Sequence, residues 1–374
     1  MRIGLTAFVM QSGRSGLTTY IAELLRALQL EDHENTYDIM AARNDADLLP
    51  LTGNNFHLVT SFPLINRPLV NIAWHNTALA LAGRRYDLLH IPCERRIPLL
   101  KRTRVVATVH DLAAFTVDAK YGRARMLFNR RLVPAMIRRA DHVIAVSHHT
   151  KQDLVRFARY PEERISVIYS GIDHDRFRPW AKEDARDRLQ MMLGIERPFF
   201  VYVSRLEHPG KNHVRLIEAF ERFKLENDSA HQLVLAGADW SGAEVIRARV
   251  AESPVKNDIL LPGFVPAKAL PLLYSCCDLM IFPSLFEGFG FPVIEALACG
   301  APVICSNTSA LGELASGLLP TFDPADSRAI FECMEQVLST GWSDELRLRG
   351  TDFASGFDWR ETARRVIGVY RSAT

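Results

Sequence analysis

The chain has 374 residues, of which 48% are hydrophobic and 24% are charged, and its formal net charge is +2. This length accommodates two domains with separate cores, and the composition is typical of a soluble globular protein. No run approaches the roughly 18 apolar residues of a membrane span, and the N-terminus predicts a strand rather than a signal peptide. We therefore expect a cytoplasmic protein, and a peripheral position on the inner face of the plasma membrane stays open.

A glycine-containing loop follows this first strand. Gly16 ends the run Ser12-Gly13-Arg14-Ser15-Gly16 and opens a predicted helix, and backbone N–H groups at a helix N-terminus bind anions. Because the Gly-x-Gly-x-x-Gly pattern is absent, the loop is not a dinucleotide fingerprint. We interpret Gly16 as a phosphate contact, with a plain tight turn as the alternative.

Basic residues are concentrated in the first half of the chain. Residues 1–178 carry 25 Lys and Arg against 17 Asp and Glu, whereas the remainder carries 20 against 26. Residues 95–139 alone hold 12 basic residues, with Asp111 and Asp118 as their only acids. This segment is either a solvated basic face or a surface that attracts anionic lipid headgroups or a pyrophosphate. We expect no nucleic acid as a partner, because no binding motif accompanies the charge.

The end of this basic segment is predicted to be an amphipathic helix. Over residues 123–139 the arginines recur at spacings of seven and eight, and apolar residues fall nearer the other side. Pro134 is expected to kink or break the helix. We therefore expect the apolar side to be buried in a domain core rather than to lie on a membrane.

A strand predicted over residues 105–109 leads directly into His110-Asp111. A single histidine is more often a satisfied structural residue, but the carboxyl end of a parallel strand is where ligands bind. His110 is therefore a candidate site residue, and Asp111 either orients it or contacts a substrate.

Short apolar strands alternate with predicted helices through most of the chain, for example over residues 199–203 and 232–236. The pattern restarts beyond residues 169–179, a polar and turn-rich segment that suits a linker. The sequence therefore predicts an α/β protein with two Rossmann-like domains, 1–178 and 179–359, whose parallel sheets face a central cleft.

Two cations follow the first strand of the second domain. Arg205 and Lys211 stand on either side of a Pro-Gly turn, and such a pair suits a diphosphate. Taken alone the pair is weak evidence, because many loops after strands carry two exposed cations. A later loop, residues 261–266, contains Val265. Its simplest interpretation is a turn between a strand and a helix.

The strongest chemical signal lies in residues 284–297. Glu287 and Glu295 bracket the turn Gly288-Phe289-Gly290, and Pro292 then opens a helix. A strand, a glycine turn and a helix N-terminus form a site for an anion or a polyhydroxyl ligand, and carboxylates accept hydrogen bonds from sugar hydroxyls. Alone, the second glutamate is equally explained as a surface acid matched to the helix dipole.

The run from Glu287 to Ala296 resembles, without departures, the signature Glu-Gly-Phe-Gly-x-Pro-x-x-Glu-Ala of the family-four retaining glycosyltransferases (glycosyltransferase group 1), which have the GT-B fold. Residues 300–304 extend the match, and the other signals fall in the right order along essentially the whole chain. The resemblance implies that the N-terminal domain binds an acceptor and the C-terminal domain a nucleotide diphosphate sugar. It also implies that a C-terminal helix, 360–374, packs back on the N-terminal domain.

The resemblance assigns roles to the candidate residues. It places Glu287 by the donor sugar, Glu295 on the ribose hydroxyls and His110 on the 6-hydroxyl of the donor sugar. The resulting catalytic set is Glu287, His110, Arg205 and Lys211. The donor-binding set is Gly16, Val265, Gly288, Phe289, Gly290, Phe291 and Glu295, with the main chain near Val265 contacting the base. Acceptor or supporting roles fall to Asp111 and Glu313. The family usually has paired glycines where this chain has Ser15-Gly16, so Gly16 alone is carried over, as a donor phosphate or acceptor contact.

The expected activity is retaining transfer of a sugar from a GDP-, UDP- or dTDP-linked donor to a glycan, lipid-linked or small-molecule acceptor. We expect neither a metal nor a cofactor beyond the donor, because the resemblance is to metal-independent enzymes. Residues 205–212 are similar to those of mannosyl- and rhamnosyltransferases of cell-surface polysaccharide or glycolipid assembly. The alternatives are transfer to a soluble small molecule, an epimerase or phosphorylase of the same fold, and a silent subunit that binds a sugar nucleotide or a membrane.

Overall fold

The structure, a computed structural model, describes residues 1–8, 16–118 and 120–373. The chain divides into two compact units, each with its own sheet and core. The first unit comprises Met1–Phe115, Tyr121–Gly171 and Asp358–Thr374, and the second comprises Thr116–Lys120 and Ile172–Phe357. The division therefore falls at Gly171 and Asp358, whereas the sequence placed it at residues 178 and 359.

The first unit contains a seven-stranded sheet. Its strands are β1 (Arg2–Thr6), β2 (Thr36–Ala42), β3 (Phe56–Ser61), β4 (Leu88–Ile91), β5 (Arg104–Val109), β6 (His142–Ala145) and β7 (Ile165–Val167). They pair in parallel in the order β3-β2-β1-β4-β5-β6-β7. The central strands are buried on both faces, which is why they are near-continuous apolar runs in the sequence.

The helices of the first unit are α1 (Gly16–Glu31), α2 (Pro68–Asn76), α3 (Ala78–Ala82), α4 (Arg123–Ile137), α5 (His148–Asp153) and, from the chain's end, α14 (Trp359–Ala373). Helix α14 packs on α1, where Arg360 and Arg364 form ion pairs with Glu31. Its Tyr370 hydroxyl lies 2.6 Å from Nδ1 of His90 on β4. The C-terminal helix is thus part of the first unit.

Helix α4 differs from its prediction in one respect. It continues through Pro134 to Ile137, so the expected break at the proline is wrong. The proline lies in the last turn, where it removes one backbone hydrogen bond, and the burial of Val133, Met136 and Ile137 in the core stabilises the helix on both sides of it. The prediction that the apolar side is buried is confirmed.

The second unit contains a six-stranded sheet. Its strands are β8 (Phe199–Val203), β9 (Gln232–Ala236), β10 (Ile259–Gly263), β11 (Leu279–Phe282), β12 (Val303–Ser306) and β13 (Thr321–Phe322). They pair in parallel in the order β10-β9-β8-β11-β12-β13. The helices are α6 (Lys182–Leu193), α7 (His213–Asn227), α8 (Ala243–Glu252), α9 (Leu270–Cys276), α10 (Phe291–Ala298), α11 (Ser309–Ala315), α12 (Ser327–Thr340) and α13 (Asp344–Ser355). The α/β class with two parallel sheets is confirmed.

Gly171 marks the point where the chain leaves the first unit. A Cβ atom at this position would lie 2.3 Å from the backbone nitrogen of Trp359, where the chain has returned. Only glycine permits two backbone segments to approach this closely.

All six cysteines are buried and none is in a disulfide. No helix in the described ranges is both long and apolar enough to cross a membrane.

Candidate functional site

The order of strands in the second unit creates a position for a ligand. From β8 the chain proceeds to β9 on one side, whereas β11 lies on the other side. Loops that leave the carboxyl ends of two such strands diverge, and ligands of open α/β sheets bind in the crevice between them. The loop after β8 carries Arg205 and Lys211, and the loop after β11 carries Glu287, so the fold brings together candidates that are far apart in sequence.

Lys211 and Glu287 form an ion pair at this position. The Lys211 Nζ lies 2.5 Å from Oε1 of Glu287, and their side chains are 18% and 17% exposed. The two loops are also joined through their backbones, since the Leu285 N–H donates to the Gly210 carbonyl over 3.0 Å. Below them, the Tyr202 hydroxyl donates to the Lys211 carbonyl at 2.8 Å and lies 3.0 Å from the Ser284 hydroxyl. The pair is therefore held in place from both loops and from the strand beneath.

The backbone of Glu287 is fixed by the start of α11. Its N–H donates to Oγ of Ser309 over 3.0 Å, and its carbonyl accepts from the Ala310 N–H over 3.3 Å. Ser309 has φ 56°, a left-handed backbone conformation that residues other than glycine and asparagine rarely adopt. Such conformations persist where surrounding contacts enforce them, commonly at functional sites. Ser309 was not predicted from the sequence, where its signal is a run of polar residues directly after the buried strand β12.

Gly290 allows the chain to turn from the loop into α10. It has φ 120°, and a Cβ atom here would lie 3.0 Å from Cδ2 of Leu311 and 3.2 Å from Cδ1 of Leu314. Helix α10 begins at Phe291 with Pro292 in its first turn, one residue earlier than the sequence predicted. The positive end of this helix begins four residues after Glu287 in the chain. An anionic or hydroxyl-rich ligand is therefore favoured there.

Glu295 lies on α10 and has an unusual titration. Burial raises the pKa of its carboxyl to about 7, against the lowering effect of the hydrogen bond that the Tyr274 hydroxyl donates to its Oε2 at 3.2 Å. Tyr274 itself is fully buried, and its own pKa is raised well above the usual value by burial, so it remains a donor. Glu295 thus changes charge near neutral pH. Tyr274 was not identified from the sequence because one tyrosine in an apolar helix has no distinguishing pattern.

Arg205 has partners other than those of Lys211. Its Nη2 lies 3.2 Å from Oε2 of Glu207, and its guanidinium lies 4.5 Å from the centre of the Trp240 ring. Stacking on an aromatic face limits the orientations of the planar guanidinium. Lys120, which the sequence analysis placed only in the basic segment, belongs to the second unit and lies beside Gly210, where its Cε would be 4.0 Å from an added Cβ.

Two further candidates of the second unit are Val265 and Glu313. Val265 is buried and follows β10, two strands from β8, after Gly263 with φ 74°. Glu313 is half-buried on α11, the helix whose first residue contacts Glu287. The strand order thus brings the candidates of this unit to one edge of its sheet. Within the described parts of the chain, no three His, Cys, Asp or Glu side chains are grouped as metal ligands.

His110 lies in the first unit, directly after β5. Burial lowers the pKa of its imidazole to about 4, so the ring is neutral at pH 7, and it hydrogen-bonds the carbonyl of Pro92. Its Nε2 is enclosed and has no hydrogen-bond partner in the described structure. Since the other ring nitrogen donates to the carbonyl, Nε2 carries a lone pair that can accept from a hydroxyl. The ring packs edge-on against Tyr20, with centroids 4.7 Å apart.

The other candidates of the first unit are Asp111 and Gly16. Asp111 accepts through Oδ1 from the Ala113 N–H over 3.0 Å, which fixes the turn after β5. Gly16 is the first residue of α1, as predicted. The preceding residues 12–15, which complete the predicted glycine loop, lie outside the described residues.

Comparison with known proteins identifies the family of this chain. The model described as Glycosyltransferase Family 4 matches residues 14–176, and the model described as Glycosyl transferases group 1 matches residues 187–349. O-antigen chain mannosyltransferase B of Escherichia coli is 27% identical over 72% of this chain and 70% of its own length. D-inositol 3-phosphate glycosyltransferase of Acidothermus cellulolyticus is 26% identical over 96% of this chain and 86% of its own length.

Some relatives are much longer than this chain, which spans about a third (33%) of the Escherichia coli mannosyltransferase WbdA. Among solved structures, Anabaena HepE in complex with UDP and glucose superposes with a TM-score of 0.78 at 18% identity, over 100% of both chains. The two family models together span both units and almost the whole sequence. The chain is an enzyme of the family-four glycosyltransferases (glycosyltransferase group 1), and its fold is GT-B.

Proposed function

We propose that the protein transfers a sugar from a nucleotide diphosphate sugar to an acceptor hydroxyl with retention of anomeric configuration. The observation that carries this proposal is the Lys211–Glu287 pair, held at 2.5 Å where the strand order of the second sheet reverses, next to the start of α10. A cation, a carboxylate and a helix N-terminus at one position can bind a diphosphate and the hydroxyls of the attached sugar together.

In this proposal each group of the second unit has one task. Lys211 and Arg205 bind the diphosphate and offset the charge that grows on it as the glycosidic bond breaks. The backbone of residues 288–291 binds sugar hydroxyls, and Glu287 accepts from the sugar next to them. Glu295 accepts from the ribose hydroxyls, and the main chain around Val265 contacts the base. Glu313 supports the site from α11.

His110 is proposed to contact the 6-hydroxyl of the donor sugar. The support is its neutral imidazole and the free lone pair on Nε2, which can accept from a hydroxyl. Gly16 is proposed as a phosphate or acceptor contact at the start of α1. Both assignments rest on chemistry available in the first unit.

The proposed reaction needs neither a metal nor a cofactor beyond the donor. Lys211, Arg205 and the start of α10 supply the positive charge that a metal supplies in other enzymes. Retention is proposed to arise by attack on the face that the diphosphate leaves, with a diphosphate oxygen taking the proton of the acceptor hydroxyl. The bond to the leaving oxygen breaks as the bond to the acceptor oxygen forms, and the proton ends on the nucleotide diphosphate.

The acceptor is proposed to be a growing cell-surface polysaccharide or a glycolipid, and the donated sugar mannose or rhamnose. The support is the match to O-antigen chain mannosyltransferase B, together with the sequence of residues 205–212. A nucleotide-linked donor is supported by HepE, whose structure holds UDP and glucose. A soluble small-molecule acceptor is the second candidate, favoured by the match to D-inositol 3-phosphate glycosyltransferase over almost the whole chain.

We place this activity in the cytoplasm, with residues 95–139 as a surface for anionic lipid. The exposed residues Arg123 and Arg131 on α4 support this, because they lie on the solvent side of the helix while its apolar side is buried. Attraction of basic side chains to anionic headgroups contributes about 1 kcal/mol each near the surface and falls with salt.

The test of the proposed function is thermal stability of the full chain with UDP, GDP and dTDP and their sugars. A ligand at 100 times its dissociation constant stabilises by about 2.7 kcal/mol, which is a measurable shift. A shift with one base supports the donor site and fixes the nucleotide class. No shift with any nucleotide, together with no release of nucleotide diphosphate on incubation with donor sugars, would instead support the silent-subunit alternative.

A further inference from the structure

The first unit contains a small polar pocket that the donor chemistry does not use. It lies after the carboxyl ends of β4 and β5 and beneath α4, and its polar lining is Glu94, Arg95, Asp111 and Asn129. The rest of its wall is apolar, from Leu112, Ala114, Phe115 and Val133. The cavity volume is about 10 Å³, which is room for one water-sized group and not for a sugar ring.

Asn129 is the unusual member of this pocket. It is 4% exposed, and neither its amide oxygen nor its amide nitrogen has a hydrogen-bond partner in the described structure. A buried amide without partners is costly, and an apolar residue of the same size would be cheaper at this position. The side chain therefore presents one donor and one acceptor group to the pocket. Those two functions match a hydroxyl group, which both donates and accepts.

The charges around the pocket argue against a phosphate. Arg95 is already paired with Glu94, with Nε 3.1 Å from Oε1, and its guanidinium lies 5.4 Å from the centre of the Tyr121 ring. Asp111 lines the same pocket, and the buried Asp153 is close enough to it for the two carboxyls to interact. The lining itself thus holds two carboxyl groups, Glu94 and Asp111, and one arginine that is already paired. An anion would meet repulsion here, whereas carboxylates accept hydrogen bonds from hydroxyls.

Resting on the proposed transfer of a sugar to a hydroxyl, we propose that this pocket binds one hydroxyl or hydroxymethyl group of an uncharged sugar acceptor. Asn129 donates to and accepts from that group, and the Asp111 and Glu94 carboxyls that line the same pocket are further acceptors for it. The site thereby selects a neutral glycan over an acceptor whose recognised group is a phosphate.

The test compares wild type with Asn129→Leu, using methyl α-mannoside as the neutral acceptor probe and D-inositol 3-phosphate as the anionic one. We expect the KM for the neutral acceptor to rise about tenfold or more while the KM for the donor stays within about twofold. The Tm should stay equal or rise, because a buried amide without partners is replaced by an apolar side chain. A purely structural Asn129 would instead lower the Tm and leave the ratio of the two KM values unchanged.

Asn227→Leu, an exposed asparagine at the end of α7, is the matched control and should change neither KM. If Asn129→Leu does not fold, Asn129→Ser gives the same comparison with a smaller side chain. An unchanged KM for the neutral acceptor, or preferred transfer to the anionic probe, would overturn the proposal. A second experiment tests the pocket without turnover. Saturation-transfer NMR measures the binding of methyl α-mannoside to the wild-type protein with nucleotide bound. Loss of that signal in Asn129→Leu supports the proposed pocket, and an equal signal refutes it. Failure of the wild-type protein to turn over the donor counts against the proposed function alone.

Discussion

The ion pair between Lys211 and Glu287 should contribute separately to stability and to catalysis. Replacing Lys211 by alanine leaves the Glu287 carboxylate, 17% exposed, without the ammonium that lies 2.5 Å from it. Breaking a buried pair costs about 3–5 kcal/mol and an exposed pair about 1 kcal/mol or less. For side chains under a fifth exposed we expect a loss of about 2–3 kcal/mol, which lowers the Tm by roughly 5–10 °C.

The catalytic effect of the same change should be larger. A cation on the departing diphosphate has the role of an oxyanion-hole donor, whose loss costs about 10²–10³ in kcat. The double variant Lys211→Ala/Glu287→Gln removes the stranded charge, so it should recover most of the lost Tm and none of the lost kcat. The two substitutions therefore couple by about 1–3 kcal/mol in stability. The assays are differential scanning fluorimetry and release of nucleotide diphosphate from the donor.

A second lysine–carboxylate pair in the same unit provides the control. Lys224 lies 2.9 Å from Asp258, with side chains 9% and 20% exposed. Because Arg197 also lies 2.7 Å from the Asp258 carboxylate, Lys224→Ala should lose a smaller part of the Tm and keep wild-type turnover. Near-wild-type kcat in Lys211→Ala would refute the site assignment. Additive Tm changes in the double variant would refute the ion pair as the source of the stability loss.

Three further outcomes are expected. Nucleotide affinity, measured by calorimetry, should rise about tenfold from pH 6 to pH 8. Burial raises the pKa of the Glu295 carboxyl to about 7, so over this range it becomes the carboxylate that accepts from ribose. Glu295→Gln should remove this pH dependence. Gly290→Ala should lower the Tm and weaken nucleotide binding, because φ is 120° and the new Cβ would lie 3.0 Å from Cδ2 of Leu311. Gly122→Ala is the control and should do neither, because no atom lies within 4 Å of the added Cβ. Sedimentation with anionic vesicles should deplete the protein at low salt and fail at high salt, and Arg123→Gln/Arg131→Gln should weaken it, while salt-independent binding would contradict an electrostatic surface.

The sheets were predictable because parallel strands buried on both faces leave a plain signal. The strands at residues 199–203 and 232–236 match the predicted bounds residue for residue, since each is a short apolar run between polar segments. The units divide at Gly171, inside the predicted linker of residues 169–179, and turn composition does not say on which side the rest of that linker packs. The break predicted at Pro134 was wrong because the burial of neighbouring residues stabilises the helix there. The local sequence does not show that burial.

The site was predictable to the extent that its chemistry lies in short runs. The glutamate and glycine positions of residues 287–295 are local, and a resemblance identifies them. The partner of Glu287 is 76 positions away in sequence, and only the strand order brings the two loops to one edge of the sheet. Ser309 and Tyr274 were missed because serine and tyrosine are common at strand ends and in helices. Their role exists only through a contact made in the folded chain.

The same ion pair orders the proposed donor site before the donor arrives. A lysine alone at the end of β8 would extend into solvent, since a long flexible side chain gains little from one orientation. Glu287 holds Nζ of Lys211 at a fixed position, and Ser309 in turn fixes the backbone of Glu287. A diphosphate that takes over the ammonium frees the carboxylate for the sugar hydroxyls, so both members of the pair find new partners in one binding event. The cost of separating the pair is then offset by two charge-assisted contacts rather than one, which favours an intact sugar nucleotide over the free diphosphate.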